Sequence, residues 1–179
     1  MNEIHFSRYQ DGSSFSLDTS KSKWYERLFM KYNALTSDLD GKIIDPFARS
    51  CNWGEITNDI NPEFKTTFNM DALDFSLHLI DNNINARIVL FDPPFSFNQA
   101  ERYIVGEMSN IYTNPAYISK ICKNLCSIIE NGGYFIKLGY NSTKPAKYMS
   151  LVELMNVNLG GSKNDVIVSV WKNNQIKLF

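Results

Sequence analysis

Cysteine, histidine and glycine are scarce in this chain of 179 residues, and each shortage removes a class of protein. The three cysteines, Cys51, Cys122 and Cys126, are an odd number without metal-ligand spacing. Cys122 and Cys126 are four apart, on one face of a helix and not at two corners of a zinc knuckle. With only His5 and His78 as histidines, no metal centre is suggested. The glycines never form Gly-x-Gly-x-x-Gly after a strand, which disfavours a nicotinamide dehydrogenase. No apolar run approaches membrane-spanning length, and the first residues hold no positive stretch followed by an apolar run. The expectation is a reduced, cytoplasmic protein with no membrane partner. A basic excess is also missing: the net charge is −1, unlike that of a protein gripping long duplex DNA by itself.

What is present is a folded composition, 44% apolar and 21% charged, and a length suited to one domain spanning 1–179. Aromatic residues reach 13%, enough to fill a core and to line a site for a flat ligand. Two stretches lean positive, Lys21, Lys23, Arg27 and Lys31, then Lys137, Lys144 and Lys147; solvated surface is the plain reading of both.

Residues 1–20, with Asp11-Gly12-Ser13-Ser14, read as an irregular N-terminal arm. Trp24, Leu28, Tyr32 and Leu35 predict an amphipathic helix over 23–35. A turn at Asp40-Gly41 leads to a short buried strand, Lys42 to Asp45. A second strand is expected over 55–59, stopped by Asn61-Pro62, and 64–68 could be strand or a helical turn. Ala72 to Ile80 reads as helix and Arg87 to Phe91 as the most apolar strand. Pro93 to Asn114 is expected to be loop with some helix. Asn114 and Pro115 start a helix over 116–130, ended by Asn131-Gly132-Gly133 before a strand at 134–138. Residues 150–155 could be helix or strand. A turn at Gly160-Gly161-Ser162, a strand over 165–171 and a last short strand over 175–179 close the chain. Strands alternating with helices imply a doubly wound α/β sheet with an antiparallel closing pair.

In such sheets ligands bind at the carboxyl ends of the strands. Asp45, Asp59 and Asp92 stand at or just after strand ends, and Asp71 stands before a helix. The sharpest segment is Asp92-Pro93-Pro94-Phe95. Its two prolines fix φ and remove two backbone donors, so the turn is stiff and its carbonyls stay available. A carboxylate beside an unused carbonyl is what the donor pair of a base –NH₂ requires, and the following ring can stack on the base.

The order Asp45-Pro46-Phe47, Asn58-Asp59-Ile60-Asn61-Pro62, Asp71-Ala72-Leu73-Asp74-Phe75 and Asp92-Pro93-Pro94-Phe95 resembles the class I S-adenosylmethionine-dependent methyltransferases. Within them it resembles the nucleic-acid amino-methyltransferase group, chiefly DNA adenine-N6 enzymes and the small forms carried by phages. Gly160 to Asp165 before an apolar strand is similar to that group's final hairpin. The resemblance covers about residues 42–172. It implies a mostly parallel seven-stranded, Rossmann-like sheet with an antiparallel C-terminal edge hairpin. S-adenosyl-L-methionine would be the cofactor and an exocyclic base amine the acceptor, DNA ahead of RNA. By the same resemblance Asp45, Pro46, Phe47 and Ala48 would cradle the methionine part of the cofactor. Asp59 with Ile60 would take its ribose, and Asp71 with Ala72 its adenine. Asp92 and Pro93 would hold the target amine, with Pro94 stiffening the turn and Phe95 stacking on an extruded base.

Two departures accompany it. Arg49 and Cys51 stand where the group's first motif has glycines, so the loop is either rebuilt around Trp53 and Gly54 or no longer holds the cofactor. The span from Asp45 to Asp59 is too short for a helix, so the first helix should be lost or reduced to a turn. No insertion for reading base edges is evident; the N-terminal arm, the segment after Pro93, a protein partner or a second copy would supply that. The alternatives are an RNA guanine-N2 or adenine-N6 methyltransferase, which Asp-Pro-Pro-Phe also resembles, and an inactive methyltransferase fold serving as a binding or regulatory module.

Overall fold

The computed structural model describes residues 3–10, 22–95, 114–158 and 164–175. In chain order the elements are β1 (His5–Gln10), α1 (Lys23–Leu35), β2 (Lys42–Asp45), β3 (Ile56–Thr57), α2 (Ala72–Asp81) and β4 (Ala86–Phe91). They continue with α3 (Pro115–Ser127), β5 (Ile129–Gly139), β6 (Met149–Asn158) and β7 (Val166–Asn173). The seven strands form one sheet in the order β1-β6-β7-β5-β4-β2-β3. β7 runs antiparallel to both β5 and β6, and the other neighbours pair in parallel.

Helices cover both faces because the strands are apolar on both. On one face α2 and α3 press Phe75, Leu79, Ile121 and Leu125 against Ile44, Val89, Phe91 and Phe135. On the other, α1 buries Trp24, Tyr25, Leu28, Phe29 and Tyr32, one stripe at helical spacing, over Ile43, Ile88, Leu90 and Ile136. β4, with parallel neighbours on both sides, is almost wholly buried. Each such side chain contributes about 1.5–3 kcal/mol by leaving water. On the outer side of α1, Lys31 is no free surface charge. Its ammonium donates to Glu153 on β6 at 2.6 Å, beside the Tyr32 hydroxyl, also at 2.6 Å.

Several expectations need correction. The N-terminal arm is not irregular throughout: His5–Gln10 is a strand lying parallel to β6, outside the hairpin formed by β6 and β7. The third helix ends at Ser127, not at residue 130, because Ile129 is already paired with Ala86. Asn131-Gly132-Gly133 is consequently a bulge inside β5: the register jumps from Ala86↔Ile129 to Ile88↔Tyr134, and Gly132 takes φ 89°. The ambiguous stretch at 150–155 is the middle of β6. The second strand narrows to Ile56–Thr57, and from the 64–68 stretch only Phe68 forms a bridge, to Asn58. Gln175 is irregular, and 176–179 lie outside the described residues, as do the turns expected at 11–14 and 160–162 and most of the segment after Pro93.

The expected loss of the first helix is observed. Between β2 and β3 the chain makes turns only. With so short a β3, Glu55 extends the pairing: its N–H donates to the Ile43 carbonyl at 2.8 Å and its carboxylate accepts from the Ile43 N–H at 3.0 Å.

Candidate functional site at the strand ends

β2, β3 and β4 are parallel neighbours, so their carboxyl ends share one edge of the sheet. This brings Asp45, Asp59 and Asp92 together, with Arg49 among them. Asp45 is 5% exposed, and its Oδ1 accepts from the Phe47 N–H at 3.1 Å. Gly54 backs it closely: an added Cβ there would lie 3.1 Å from the Asp45 Cβ and 2.9 Å from Thr57 Cγ2. Asp59 holds the loop with both oxygens, Oδ2 accepting from the Arg49 N–H at 3.0 Å and Oδ1 from the Asn61 N–H at 2.9 Å. Arg49 itself has φ 48°, the left-handed region that glycine would occupy at little cost. That conformation is held by the Asp59 bond to the Arg49 N–H. The Arg49 side chain reaches over to Asp92, with Nη2 3.5 Å from Oδ2. At that length the contact is weaker than a close bidentate fork, so another donor can compete for the carboxylate.

The remaining loop residues are positioned as follows. The Pro46 carbonyl accepts from the Asn58 amide at 3.3 Å. The Phe47 ring meets Phe91 edge-on at 5.4 Å, and Ala48, 2% exposed, is packed inside. Ile60 packs against the core of the α2–α3 face. Asp71 belongs to the start of α2. It is the N-cap of α2, accepting from the Leu73 N–H at 2.8 Å, and it also accepts from the Tyr117 hydroxyl of α3. Ala72 behind it is 1% exposed, a core side chain.

Burial pushes the Asp45 carboxyl up to about 7; the Phe47 N–H opposes this, Asp92 adds to it, Arg49 opposes and Asp59 adds. Asp59 is raised too, by burial first, against the N–H groups of Asn61 and Arg49. The sign for stability follows from proton counts. Between the ordinary aspartate value and about 7 the folded chain holds the Asp45 proton that the unfolded chain has released. Stability therefore falls as pH rises through that window and levels off above it. Asp45→Asn keeps an oxygen for Phe47 and removes the charge. In urea titrations it should stabilise the chain by a few kcal/mol above about pH 7 and by much less near pH 4.5. An unchanged pH slope in the variant would refute this.

On the other side of Asp92 a cavity of about 260 Å³ opens between the turn, the start of α3 and the segment after β5. Pro93, Pro94 and Phe95 line it, together with Ile118, Lys137 and Tyr140. Phe95 meets the Tyr140 ring edge-on at 5.3 Å. Asp92, which precedes Pro93, is 14% exposed at its side chain.

Sequence reasoning missed Tyr140, Tyr117 and Tyr25, and read Lys137 as solvated surface. Lys137 faces Phe91 in the β4–β5 register, which seats it beside the Asp92 turn, a position that no local pattern encodes. Tyr25 of α1 is buried under the cluster; burial, then Asp45 and Asp92, hold its hydroxyl well above the usual tyrosine range. Among the described residues no group of three or more His, Cys, Asp and Glu could hold a metal, and no helix is long and apolar enough to cross a membrane.

No family model matches the sequence, and no curated protein matches it by sequence. Solved structures do match by shape. The N-methyltransferase NodS from Bradyrhizobium japonicum WM9, in complex with S-adenosyl-L-homocysteine, aligns with TM-score 0.53 at 9% identity, over 92% of this chain and 94% of its own. A hypothetical protein from Thermus thermophilus aligns with TM-score 0.52 at 11% identity, over 90% and 94%. TrmN, also from Thermus thermophilus, aligns with TM-score 0.50 at 15% identity, over 82% of this chain but 48% of TrmN, about half its length. At such identities the likeness speaks for architecture alone. Topology and shape agree: the chain has the Rossmann-like methyltransferase fold.

Proposed function

We propose that the chain is an S-adenosylmethionine-dependent methyltransferase acting on an exocyclic amino group of a nucleic-acid base, DNA adenine N6 ahead of RNA adenine N6 or guanine N2. One observation carries this reading: Asp92 stands at the junction of two unlike half-sites. Toward β2 and β3 lies a group of buried carboxylates, Asp45 and Asp59. Toward β5 lies the cavity lined by Pro93, Pro94 and Phe95, whose described lining holds Lys137 and Lys144 and no carboxylate. An acidic half suits a cationic donor, and a basic half suits an anionic acceptor.

The residues fit the cofactor in part. The left-handed Arg49 keeps the loop curved, and carboxylates at the ends of β2 and β3 suit a sulfonium and ribose hydroxyls. S-adenosylmethionine would supply a methyl group on a positively charged sulfur. The loop from Asp45 to Ala48 would hold its methionine part, Asp59 with Ile60 its ribose, and Asp71 with Ala72 its adenine. Asp92 and the Pro93 carbonyl would accept from the two amine hydrogens, fixing the nitrogen lone pair toward the donor side. As the nitrogen takes on positive charge, the Asp92 carboxylate stabilises it. Phe95, with Tyr140 beside it, would stack on the base.

The Arg49–Asp92 contact favours a second reading, a methyltransferase fold kept as a binding or regulatory module, because the guanidinium competes for the same carboxylate. Calorimetric titration with S-adenosylmethionine and S-adenosylhomocysteine separates the two. Binding of both is expected, followed by labelled methyl transfer to adenine in DNA. Absence of binding would favour the module, and transfer to RNA alone would move the substrate.

A further inference from the structure

The basic rim of the cavity is not used by amine recognition. Lys137 enters it from β5, half-buried, with its ammonium donating to the Asn141 Oδ1 and the Thr143 carbonyl, both at 3.2 Å. Both acceptors are neutral, and among the described residues no carboxylate pairs with Lys137. Lys144, exposed, lines the same cavity, with Thr143 and Asn141 between the two lysines in the wall. Phe95 and Tyr140 add aromatic rings to the lining, and Pro93, Pro94, Ile118 and Leu138 add apolar surface. Two cations with no acid in the described lining, two aromatic rings and apolar walls describe a host for a flat molecule carrying an anion. The volume, about 260 Å³, falls just under the small-molecule range of roughly 300–1,000 Å³, so one nucleotide is the size that suits it.

We propose that Lys137 and Lys144 form a phosphate subsite, so that the cavity takes a single nucleotide, base toward Phe95 and phosphate toward the two ammonium groups. The proposal rests on reading the cavity as the acceptor half-site and adds what that reading lacks, a grip on the backbone of a splayed nucleotide. A half-buried ammonium whose partners are all neutral gains from an incoming anion more than a surface lysine does. Burial already draws Lys137 below the usual lysine range, with Cys122 pulling the other way. A chain of balanced net charge can thus hold a nucleic acid through one local pair of cations.

The test needs no methyl donor, so its failure and that of the methyltransferase reading are distinct. The full chain is titrated with adenosine 5′-monophosphate, adenosine and inorganic phosphate at low salt. The monophosphate should bind about tenfold or more tightly than adenosine and than phosphate alone. Lys137→Met should erase the preference over adenosine. Because Lys137 also ties down Asn141 and Thr143, Lys144→Met is the control variant: it leaves those bonds in place and should still lower the preference severalfold. Equal binding of monophosphate and adenosine overturns the proposal. So does equal binding of monophosphate and free phosphate, no binding of any of the three, or a preference untouched in both variants.

Discussion

Asp92→Ala is expected to lower methyl transfer by about 10² or more while leaving cofactor affinity nearly intact. The carboxylate directly precedes the Pro93-Pro94-Phe95 wall of the cavity, and its side chain is 14% exposed. Removing it leaves the amine without its charged acceptor, but the loop that would hold the cofactor is pinned elsewhere, by Asp59 on the N–H groups of Arg49 and Asn61. Asp59→Ala should therefore do the opposite, loosening the loop and weakening the cofactor first. Titration of both variants with S-adenosylhomocysteine, beside single-turnover transfer, checks the split. Equal loss of cofactor in the two would contradict these roles.

Phe91→Ala should destabilise the chain by about 3–5 kcal/mol, a large part of the 5–15 kcal/mol that holds a domain folded. Phe91 has no exposed surface and is the last residue of the interior strand β4. Its ring lies 5.1 Å from Phe135 on β5 and 5.4 Å from Phe47 in the loop after β2. Truncation opens a cavity under the Asp92 turn that these rings cannot close by collapse, since each is fixed by its own strand or loop. Phe91→Leu fills most of the space and should cost far less. Urea unfolding midpoints decide it; a loss under about 1 kcal/mol for the alanine variant would mean the rings repack.

Elements with a strong local period were legible in the sequence. The helical stripe of α1, the cap at Asn114 with Pro115, and the apolar run of β4 gave α1, the start of α3 and β4 within a residue. The strand-end carboxylates were legible because a turn signal follows each one. What escaped was set at long range. β1 is short, with Phe6 68% exposed, and exists because β6, far along the chain, offers its edge. The start of β5 was read as helix because Ile128 and Ile129 continue the apolar stripe of α3; Ile128 caps the helix, pairing with β4 makes Ile129 strand, and the bulge at Gly132 absorbs the glycines. Asp71 was singled out correctly as a residue before a helix; its bond from Tyr117 of α3, 46 residues on, is set by the packing of the two helices. Arg49 was noted as a departure, but that it meets Asp92, 43 residues on, depends on two strands lying side by side.

Asn58, 1% exposed, gives its amide hydrogens to the carbonyls of Pro46 and Met70 and takes the Met70 N–H on its oxygen. With no helix after β2, this one side chain staples the exit of β2 to the residue just ahead of the Asp71 cap. The curve is written in a polar keystone. The loop can then admit a bulky residue such as Arg49 without losing its outline, and changes to its surface chemistry are uncoupled from its shape.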